Sequence, residues 1–567
     1  MPQGTLREWW KERVVYQIYP RSFCDSNGDG IGDIPGIISK LDYLKDLGIG
    51  IIWLSPLYKS PNDDNGYDIS DYMDINPEFG TMDDMKRLIE GCKERDIRII
   101  MDLVINHTSD EHEWFKESRK SKDNPYRDYY IWRPGIKAGG SHSHSDPKNG
   151  EKELPPNNWT SFFTGSAWQK DDETGEYYLH LFSKKQPDLN YKNPAVLAEV
   201  KKILTFWLDL GISGFRCDVI NVIGKTTLQN GKKRIALTGR EHYISQPECH
   251  QILKKLNEEI FSKYDCFTVG ETVMVTPQMA NELSAPDRGE LNMVFGFEHM
   301  ETDCINNKWF KTPFSSSKFM NTLFKWQREV MWNANYFENH DQPRCVSHFG
   351  NDKEFHDESA KMLAALLFTL RGTPYVFEGQ ELGMTNFDYT SMAEIQDIES
   401  HNVWKMAADL HFPEKVRWLM IQKSSRDNAR TPMQWSATEN AGFSTGTPWL
   451  RANTNCAFYN VESEQKDSNS VLAFYKELIA LRKEKTAFVY GDFRVLEKTG
   501  DIYVLERYLA GEKKLYTVLN FSAKKRVLPE NAVKLYAQCK MILTNYAIRR
   551  QGEKEMRPYE AFVLEER

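Results

Sequence analysis

The feature that most constrains the fold is a repeated alternation between short apolar segments rich in β-forming residues and longer segments with helical periodicity. This alternation predicts parallel strands joined by helices. Eight strand–helix units are the number that closes a (β/α)8 barrel, the TIM barrel, whereas a doubly wound sheet, the other α/β architecture, has no motif support here. The eight apolar segments are 14–19, 49–54, 97–105, 214–220, 267–270, 291–297, 333–337 and 373–377.

Two stretches depart from this alternation. Residues 108–185 are rich in Gly, Ser, His and Trp, show no strong helical pattern and are too long for a bare loop, so we predict an inserted subdomain after the third strand. Beyond residue 485 apolar and polar residues alternate, which predicts an antiparallel β domain. The predicted domains are 1–107 and 186–485 for the barrel, 108–185 for the insert and 486–567 for a C-terminal β-sandwich.

Composition excludes several classes of protein. Of the 567 residues, 40% are hydrophobic and 27% charged, which is typical of a large globular protein with a substantial core. A net charge of −8 without a basic stripe disfavours binding to nucleic acid or anionic membranes. No apolar run approaches the ~20 residues of a membrane span, and the N-terminus lacks a signal-peptide core. Nine scattered cysteines predict reduced thiols and a cytoplasmic location.

Polar side chains recur where the predicted strands end. A single acidic residue at such a position is ordinarily a helix cap or a solvated loop residue. In a (β/α)8 barrel, however, the carboxyl ends of all strands meet around one face, so residues that recur there are expected to converge. Three carboxyl groups, two histidines and one arginine follow this pattern: Asp218, Glu271, Asp341, His107, His340 and Arg216.

Paired carboxyl groups at a cleft are suited to glycoside hydrolysis. One group must be ionised to attack the sugar, and the other must keep a proton for the leaving oxygen. Arg216 lies two residues before Asp218 on a strand and so on the same face, where it is placed to keep that carboxyl charged. Glu271 has no basic neighbour in sequence, which makes it the better proton donor.

Together these motifs identify a resemblance that covers essentially the whole chain. DLVINH at 102–107, GFRCDVI at 214–220, ETV at Glu271 and FENHD at 337–341 occur in the order found in the α-amylase superfamily of glycoside hydrolases. QPDLN at 186–190, NHDQPR at 339–344 and RDNARTPMQW at 426–435 resemble its oligo-1,6-glucosidase branch.

The resemblance implies a role for each of these positions. Asp218 would be the nucleophile, Glu271 the general acid/base, and Asp341 the residue that stabilises the transition state by holding sugar hydroxyls. His107, His340 and Arg216 would line the subsite for the non-reducing glucose.

Two further features bear on the substrate. Asp68 and Arg426 resemble the pair that closes the pocket against further sugars, which implies exo action. An ion pair between them could instead have a structural role alone. Val219 follows the nucleophile, and valine there accompanies α-1,6 linkages in this branch. A β-branched side chain at this point narrows the leaving-group subsite, but it is also an ordinary strand residue.

A second motif places oxygen ligands at every second position of a glycine-rich loop. Hard cations prefer such ligands, but Gly36 occupies the position of the bidentate Glu of an EF-hand, which disfavours an ordinary EF-hand. Related glucosidases carry Ca²⁺ in this loop, so the resemblance implies a structural Ca²⁺ site away from the chemistry. Its ligands would be Asp25, Asn27, Asp29, Asp33 and the carbonyl oxygen of Ile31.

We therefore predict an exo-acting, retaining α-glucosidase that cleaves α-1,6 bonds of isomaltose and short isomalto-oligosaccharides. Its partners would be oligosaccharides alone, and it would be a monomer or weak dimer. An α-1,4- or sucrose-cleaving glucosidase stays open, as does a trehalose-6-phosphate hydrolase with Lys225 and residues 232–234 as phosphate ligands. A sucrose isomerase is disfavoured because residues 299–307 contain no arginine, and a non-catalytic scaffold because all three carboxyl groups are present.

Overall fold

The computed structural model describes residues 7–137, 153–234, 236–305, 307–549 and 552–567. Its centre is a parallel eight-stranded sheet in the order β6-β5-β4-β3-β2-β1-β8-β7, which confirms the predicted barrel. The sheet closes between its edge strands, where the Tyr336 hydroxyl donates to the Gly296 carbonyl at 3.1 Å. The strands are Val15–Ile18 (β1), Ile51–Leu54 (β2), Arg98–Leu103 (β3), Gly214–Cys217 (β4), Phe267–Glu271 (β5), Met293–Phe295 (β6), Ala334–Asn335 (β7) and Thr373–Phe377 (β8).

One helix follows each barrel strand, and sequence signals set its ends. The longest begins after Asn193, whose side chain caps it, with proline at the first position, and ends at Gly211 in the left-handed conformation. None of the helices in the described ranges is long and apolar enough to cross a membrane. The eight are Leu41–Leu47, Met82–Glu94, Pro194–Leu210, Pro247–Glu259, Pro277–Ser284, Ser316–Glu329, His356–Thr369 and Val471–Glu484.

Shorter helices occupy the loops of the barrel and its ends. They are Trp9–Glu12, Pro20–Phe23, Ile34–Ser39, Cys345–Phe349, Asp427–Arg430, Val461–Glu464 and Thr486–Tyr490. All nine cysteines are free thiols, as expected for a chain without a disulfide framework.

The segment between β3 and its helix forms a small subdomain, of which residues 138–152 lie outside the described ranges. It contains the helix Glu113–Lys120 and a three-stranded antiparallel sheet of Trp132–Arg133, Tyr177–Leu179 and Trp168–Lys170. Aromatic packing holds it together, for example Phe115 stacked on Trp132 with ring centroids 5.6 Å apart.

A second excursion, after β8, has no counterpart in the sequence prediction. Helices Ile398–Asp409 and Glu414–Ser424 pack on each other and on the hairpin Cys304–Ile305 with Asn307–Lys311. Their apolar cluster includes Trp309 and Ile421, and it is separate from the barrel core. This helical pair brings Asp397 and Glu399 to the mouth of the barrel.

The C-terminal region is a five-stranded antiparallel sheet in the order β9-β10-β11-β13-β12. One face contributes residues such as Tyr503 and Leu519 to the main core, and the other is covered by the helix Glu530–Gln538 and a two-stranded sheet. The second layer is therefore mainly a helix, where the sequence predicted a sandwich of two sheets. The strands are Asp492–Thr499 (β9), Ile502–Tyr508 (β10), Leu515–Asn520 (β11), Cys539–Thr544 (β12) and Ala561–Glu566 (β13).

Candidate active site

Two carboxyl groups of the predicted site lie at the carboxyl ends of neighbouring strands. Asp218 is the first residue after β4, and its backbone N–H donates to Leu103 at the end of β3 at 3.0 Å. Glu271 is the last residue of β5. Because β4 pairs in parallel with both β3 and β5, the side chains that end these strands face a common space.

Arg216 joins the acidic groups of three strands. One terminal nitrogen of its guanidinium lies 2.6 Å from Asp218 Oδ1 and also contacts Asp102, while the other lies 2.8 Å from Glu271 Oε2. All four side chains are buried. The predicted contact of Arg216 with Asp218 is present, but Glu271, which has no basic neighbour in sequence, also contacts Arg216 because the parallel register places the next strand within reach of the same guanidinium.

One guanidinium among three buried carboxyl groups cannot neutralise them all. Burial raises the pKa of Asp218 well above its usual range; the Arg216 charge opposes this, and the Glu271 and Asp102 carboxylates reinforce it. Burial likewise raises the pKa of Asp102 to about 6, against the pull of Arg216. Burial thus favours the protonated form of Asp218, whereas the sequence predicted that Arg216 keeps this carboxyl charged.

Asp341, beyond β7, has the opposite environment. Its carboxyl accepts from Arg430 at 2.8 Å and lies 3.5 Å from Arg426 and 3.3 Å from His340 Nε2. Although burial opposes ionisation, these neighbours together hold the pKa of Asp341 far below its ordinary value. Its side chain is 27% exposed, so a permanently ionised carboxylate faces the pocket.

The two predicted histidines are buried and neutral. Burial lowers the pKa of His107 to about 4 and that of His340 to about 3. Each has an amide nitrogen against its Nδ1 atom, Asn106 at 3.1 Å and Gln17 at 2.8 Å. Tyr67 stacks on His340, with centroids 5.3 Å apart and planes at 7°, and its hydroxyl lies 2.8 Å from His340 Nε2.

The predicted pair of Asp68 with Arg426 was wrong, because Arg426 contacts Asp64 at 3.2 Å and Asp397 at 2.8 Å. Asp68 is fully buried and accepts from the backbone of Asp63 and Asp64, so it shapes the loop that carries Asp64. The motif holds three aspartates within six residues, and only the folded loop shows which one faces Arg426.

Other residues of the site were missed by the sequence reasoning. Arg430 donates hydrogen bonds to both Asp341 and the His340 carbonyl. It lies one helical turn beyond Arg426, and this spacing could have predicted that the two arginines share a face. Gln186, the first residue of QPDLN, donates to Asp64 at 3.2 Å and lies at the same distance from His107. Asp397 belongs to the unpredicted helical pair and had no sequence signal.

Val219 adopts a strained backbone conformation beside Asp218. Its φ of 36° and ψ of 39° are left-handed, which is a rare conformation for a β-branched residue. In this conformation its N–H donates to Glu271 Oε2 at 3.2 Å, and its side chain is 7% exposed at the pocket wall. The turn at Val219 therefore helps to position the Glu271 carboxyl.

The glycine-rich loop at 25–33 has the oxygen chemistry of a hard-cation site. Gly28 and Gly30 take positive φ, and a Cβ at Gly30 would lie 1.9 Å from the Thr447 carbonyl, so the loop is tightly folded. In the described ranges no three acidic, histidine or cysteine side chains converge as a metal cage, so a cation here needs the Asn27 amide and Ile31 carbonyl oxygens as well. Asp25 accepts from three backbone N–H groups of this loop, and Asp33 caps the following helix.

Comparison with known proteins agrees with this geometry. Residues 17–491 match the α-amylase catalytic-domain family. The chain is 52% identical to an oligo-1,6-glucosidase of Parageobacillus thermoglucosidasius, covering 98% of this chain and 99% of that protein. Among solved structures, a mutant trehalose-6-phosphate hydrolase of Bacillus licheniformis superposes with a TM-score of 0.91 at 42% identity, and an isomaltulose synthase of Klebsiella with 0.91 at 40%; both cover 99% of this chain and 100% of theirs.

A (β/α)8 barrel with paired carboxyl groups at the ends of neighbouring strands, together with the family match, defines the class: the protein is a glycoside hydrolase. The family follows from the match over most of the chain, the full-length relatives and the motifs at the strand ends. The chain belongs to the α-amylase family.

Proposed function

We propose that the protein is an exo-acting, retaining α-glucosidase that cleaves α-1,6 bonds at the non-reducing end of isomaltose and short isomalto-oligosaccharides. One observation carries the proposal: Asp218 and Glu271 share one guanidinium at the ends of neighbouring strands, and the ion pair of Arg426 with Asp64 lies beside Asp341. The 52% identical relative is named an oligo-1,6-glucosidase, which supports the linkage.

The proposed reaction uses the two carboxyl groups in turn. Asp218 attacks the anomeric carbon as Glu271 gives its proton to the leaving oxygen, and Glu271 then deprotonates the water that releases α-glucose. Two carboxyl groups bound to the same guanidinium stand side by side, which favours the short separation of about 5 to 5.5 Å found in retaining enzymes. The ionised Asp341 offers a charge-assisted acceptor to sugar hydroxyls.

The closed end of the pocket supports exo action. Arg426 is 7% exposed and is held by Asp397 as well as Asp64, so the wall is fixed from two sides. A sugar bound against this wall has no room for another unit beyond it. The enzyme would therefore release one glucose at a time.

Of the alternatives, trehalose-6-phosphate hydrolysis loses one proposed phosphate ligand. Lys225 is 4% exposed and bound to Asp188 at 2.8 Å, so it is not free to bind a phosphate. Lys232, Lys233 and Arg234 are exposed and remain as candidate ligands. An α-1,4- or sucrose-cleaving enzyme would share the same catalytic groups and differ only in the leaving-group subsite.

A substrate panel with product analysis tests the proposal. Isomaltose, maltose, sucrose, trehalose and trehalose 6-phosphate are incubated separately, and the anomeric proton of the first glucose released is followed by NMR. The expected result is preferred turnover of isomaltose with α-glucose appearing before mutarotation. Preference for another substrate overturns the proposed linkage, and β-glucose as the first product overturns retention. If none of the five sugars is turned over, the non-catalytic scaffold becomes the favoured alternative.

We also propose that the loop at 25–33 binds Ca²⁺, that the protein is cytoplasmic and that it is a monomer or weak dimer. Support for Ca²⁺ comes from the donor set, with the carboxylates of Asp25, Asp29 and Asp33 alternating with the Asn27 amide and the Ile31 carbonyl. Nine free thiols support a reducing compartment. Metal analysis of the purified protein and its mass in solution test two of these proposals.

A further inference from the structure

Lys225 is a buried charge that the proposed mechanism does not use. Its ammonium lies 2.8 Å from Asp188 Oδ2 and donates to Asn106 Oδ1 at 2.6 Å. Asp188 is fully buried in the QPDLN segment, which forms a β-bridge with His107. An ion pair removed from water in this way is costly to build, so its contact with Asn106 calls for an explanation.

The contact determines how the Asn106 amide is oriented. An ammonium has only hydrogens to donate, so the atom it faces must be the amide oxygen. The amide nitrogen then points at His107 Nδ1, 3.1 Å away, and this nitrogen has only hydrogens to give. His107 Nδ1 is therefore an acceptor, and the single hydrogen of the neutral ring is on Nε2.

The other side of the ring agrees with this assignment. His107 Nε2 lies 3.1 Å from the carbonyl oxygen of Tyr67, which can only accept. Gln186 Nε2 also lies 3.2 Å from His107 Nε2, but its two hydrogens have acceptors in Asp64 Oδ2 and the Tyr67 carbonyl. Donors and acceptors are consistent in only one arrangement of the three side chains Lys225, Asn106 and His107.

We propose that Lys225 is a positioning residue that acts through Asn106 to fix His107 as the Nε2–H tautomer. That hydrogen holds the Tyr67 carbonyl, three residues beyond Asp64, and so ties the loop that closes the pocket to the barrel. Because this loop carries Asp64, the tautomer also affects the end of the site that a sugar would contact. This consequence for the substrate rests on the proposed function, whereas the tautomer itself does not.

The sharpest test is Asn106→Asp, which keeps the size of the side chain and still pairs with Lys225. A carboxylate has no hydrogen to give, so His107 Nδ1 must take up a proton. Histidine labelled with ¹⁵N and ¹³C reports this directly by NMR, and His107→Gln identifies the resonance among the 13 histidines. We expect an unprotonated Nδ1 in the parent protein and a protonated Nδ1 in the variant. A parent Nδ1 that carries hydrogen, or a variant Nδ1 that stays bare, overturns the proposal.

The role of the ammonium is tested by Lys225→Met combined with Asp188→Asn, which removes both charges together. With no donor fixing the Asn106 oxygen, we expect mixed His107 tautomers and a rise of about tenfold in KM for isomaltose with a smaller change in kcat. Lys361→Met is the matched control, because Lys361 is equally buried and donates to the Asn469 carbonyl away from the site. It is expected to change neither readout.

The remaining outcomes separate this inference from the proposed function. If the double variant only melts at lower temperature, with its His107 tautomer and KM unchanged, Lys225 is merely structural and the proposal fails. If the double variant does not fold, Asn106→Asp alone decides. If the parent protein has the Nε2–H tautomer but no activity on isomaltose, the proposed function fails while the tautomer assignment stands.

Discussion

The most discriminating prediction concerns the ion pair of Arg426, which the structure forms with Asp64 and the sequence assigned to Asp68. Asp64→Asn removes the carboxylate that faces Arg426, and Asp68→Asn changes the aspartate that the sequence motif favoured. We expect only the first to weaken the preference for short substrates, because Asp68 contacts its own loop and not Arg426.

The magnitude follows from the contacts of Arg426. The Asp64 contact is 3.2 Å long, and both side chains are 7% exposed, so solvent screens the pair little. Arg426 keeps Asp397 at 2.8 Å in the variant and is not left as an isolated buried charge. The larger cost of leaving a buried charge without a partner does not apply. Asp64→Asn therefore loses the free energy of one hydrogen bond between charged groups, about 1.5–3 kcal/mol. This corresponds to a fall in kcat/KM for isomaltose of roughly 10- to 150-fold.

The assay compares kcat/KM for isomaltose with that for a longer isomalto-oligosaccharide in both variants. Melting temperatures are measured alongside, since Asp68→Asn disturbs buried hydrogen bonds and is expected to lower stability. If Asp68→Asn lowers the preference for short substrates and Asp64→Asn leaves it intact, then the reasoning about the pocket wall is refuted.

Further outcomes follow from the same structure. Asp218→Asn is expected to keep the fold, checked by circular dichroism, and to lower kcat by roughly 10⁴-fold or more; retained turnover contradicts its role as nucleophile. Val219→Ala should lower the ratio of isomaltose to maltose kcat/KM by about tenfold or more, and an unchanged ratio assigns linkage choice elsewhere. His340 has a folded pKa of about 3, below its unfolded value of about 6.5, so its contribution to stability is complete above pH 6.5 and is lost as the pH falls toward 3; His340→Gln should flatten the melting temperature in that window. Chelation should lower the melting temperature by about 5 °C or more in the parent protein but not in Asp29→Ala, and equal shifts in both argue against Ca²⁺ in this loop.

The barrel was predictable because its signals are local. Each strand is a short apolar run, and helix ends carry their own caps, as Asn193 and Gly211 show. The helical pair after β8 was not predicted, since its residues pack on a hairpin about 100 positions earlier in the chain and bury only part of their surface. In the C-terminal domain the alternation of apolar and polar residues predicts the strands. The helix that covers the sheet could not be predicted in this way, because its place depends on which face of the sheet packs against the barrel.

The catalytic carboxyl groups were predictable for a related reason. Asp218, Glu271 and Asp341 were expected together because strand ends converge in any barrel, whatever the loops do. The partners of these groups depend on register and loop shape, which the sequence alone does not reveal. Arg216 therefore contacts three carboxyl groups where the sequence predicted one, and Asp64 takes the place expected for Asp68.

The charges of the site divide its tasks between two regions. Around Arg216 three carboxyl groups share one positive charge, and in the proposed mechanism one of them supplies the proton that moves during the reaction. Around Asp341 the balance is reversed, since Arg426 and Arg430 help to hold the pKa of this carboxyl low, and its proposed role is to offer negative charge to the sugar. In the proposed mechanism the burial of His340 has a second consequence. It lowers the pKa of this histidine to about 3, and a protonated His340 beside Asp341 would reduce the negative charge available to a cation-like transition state.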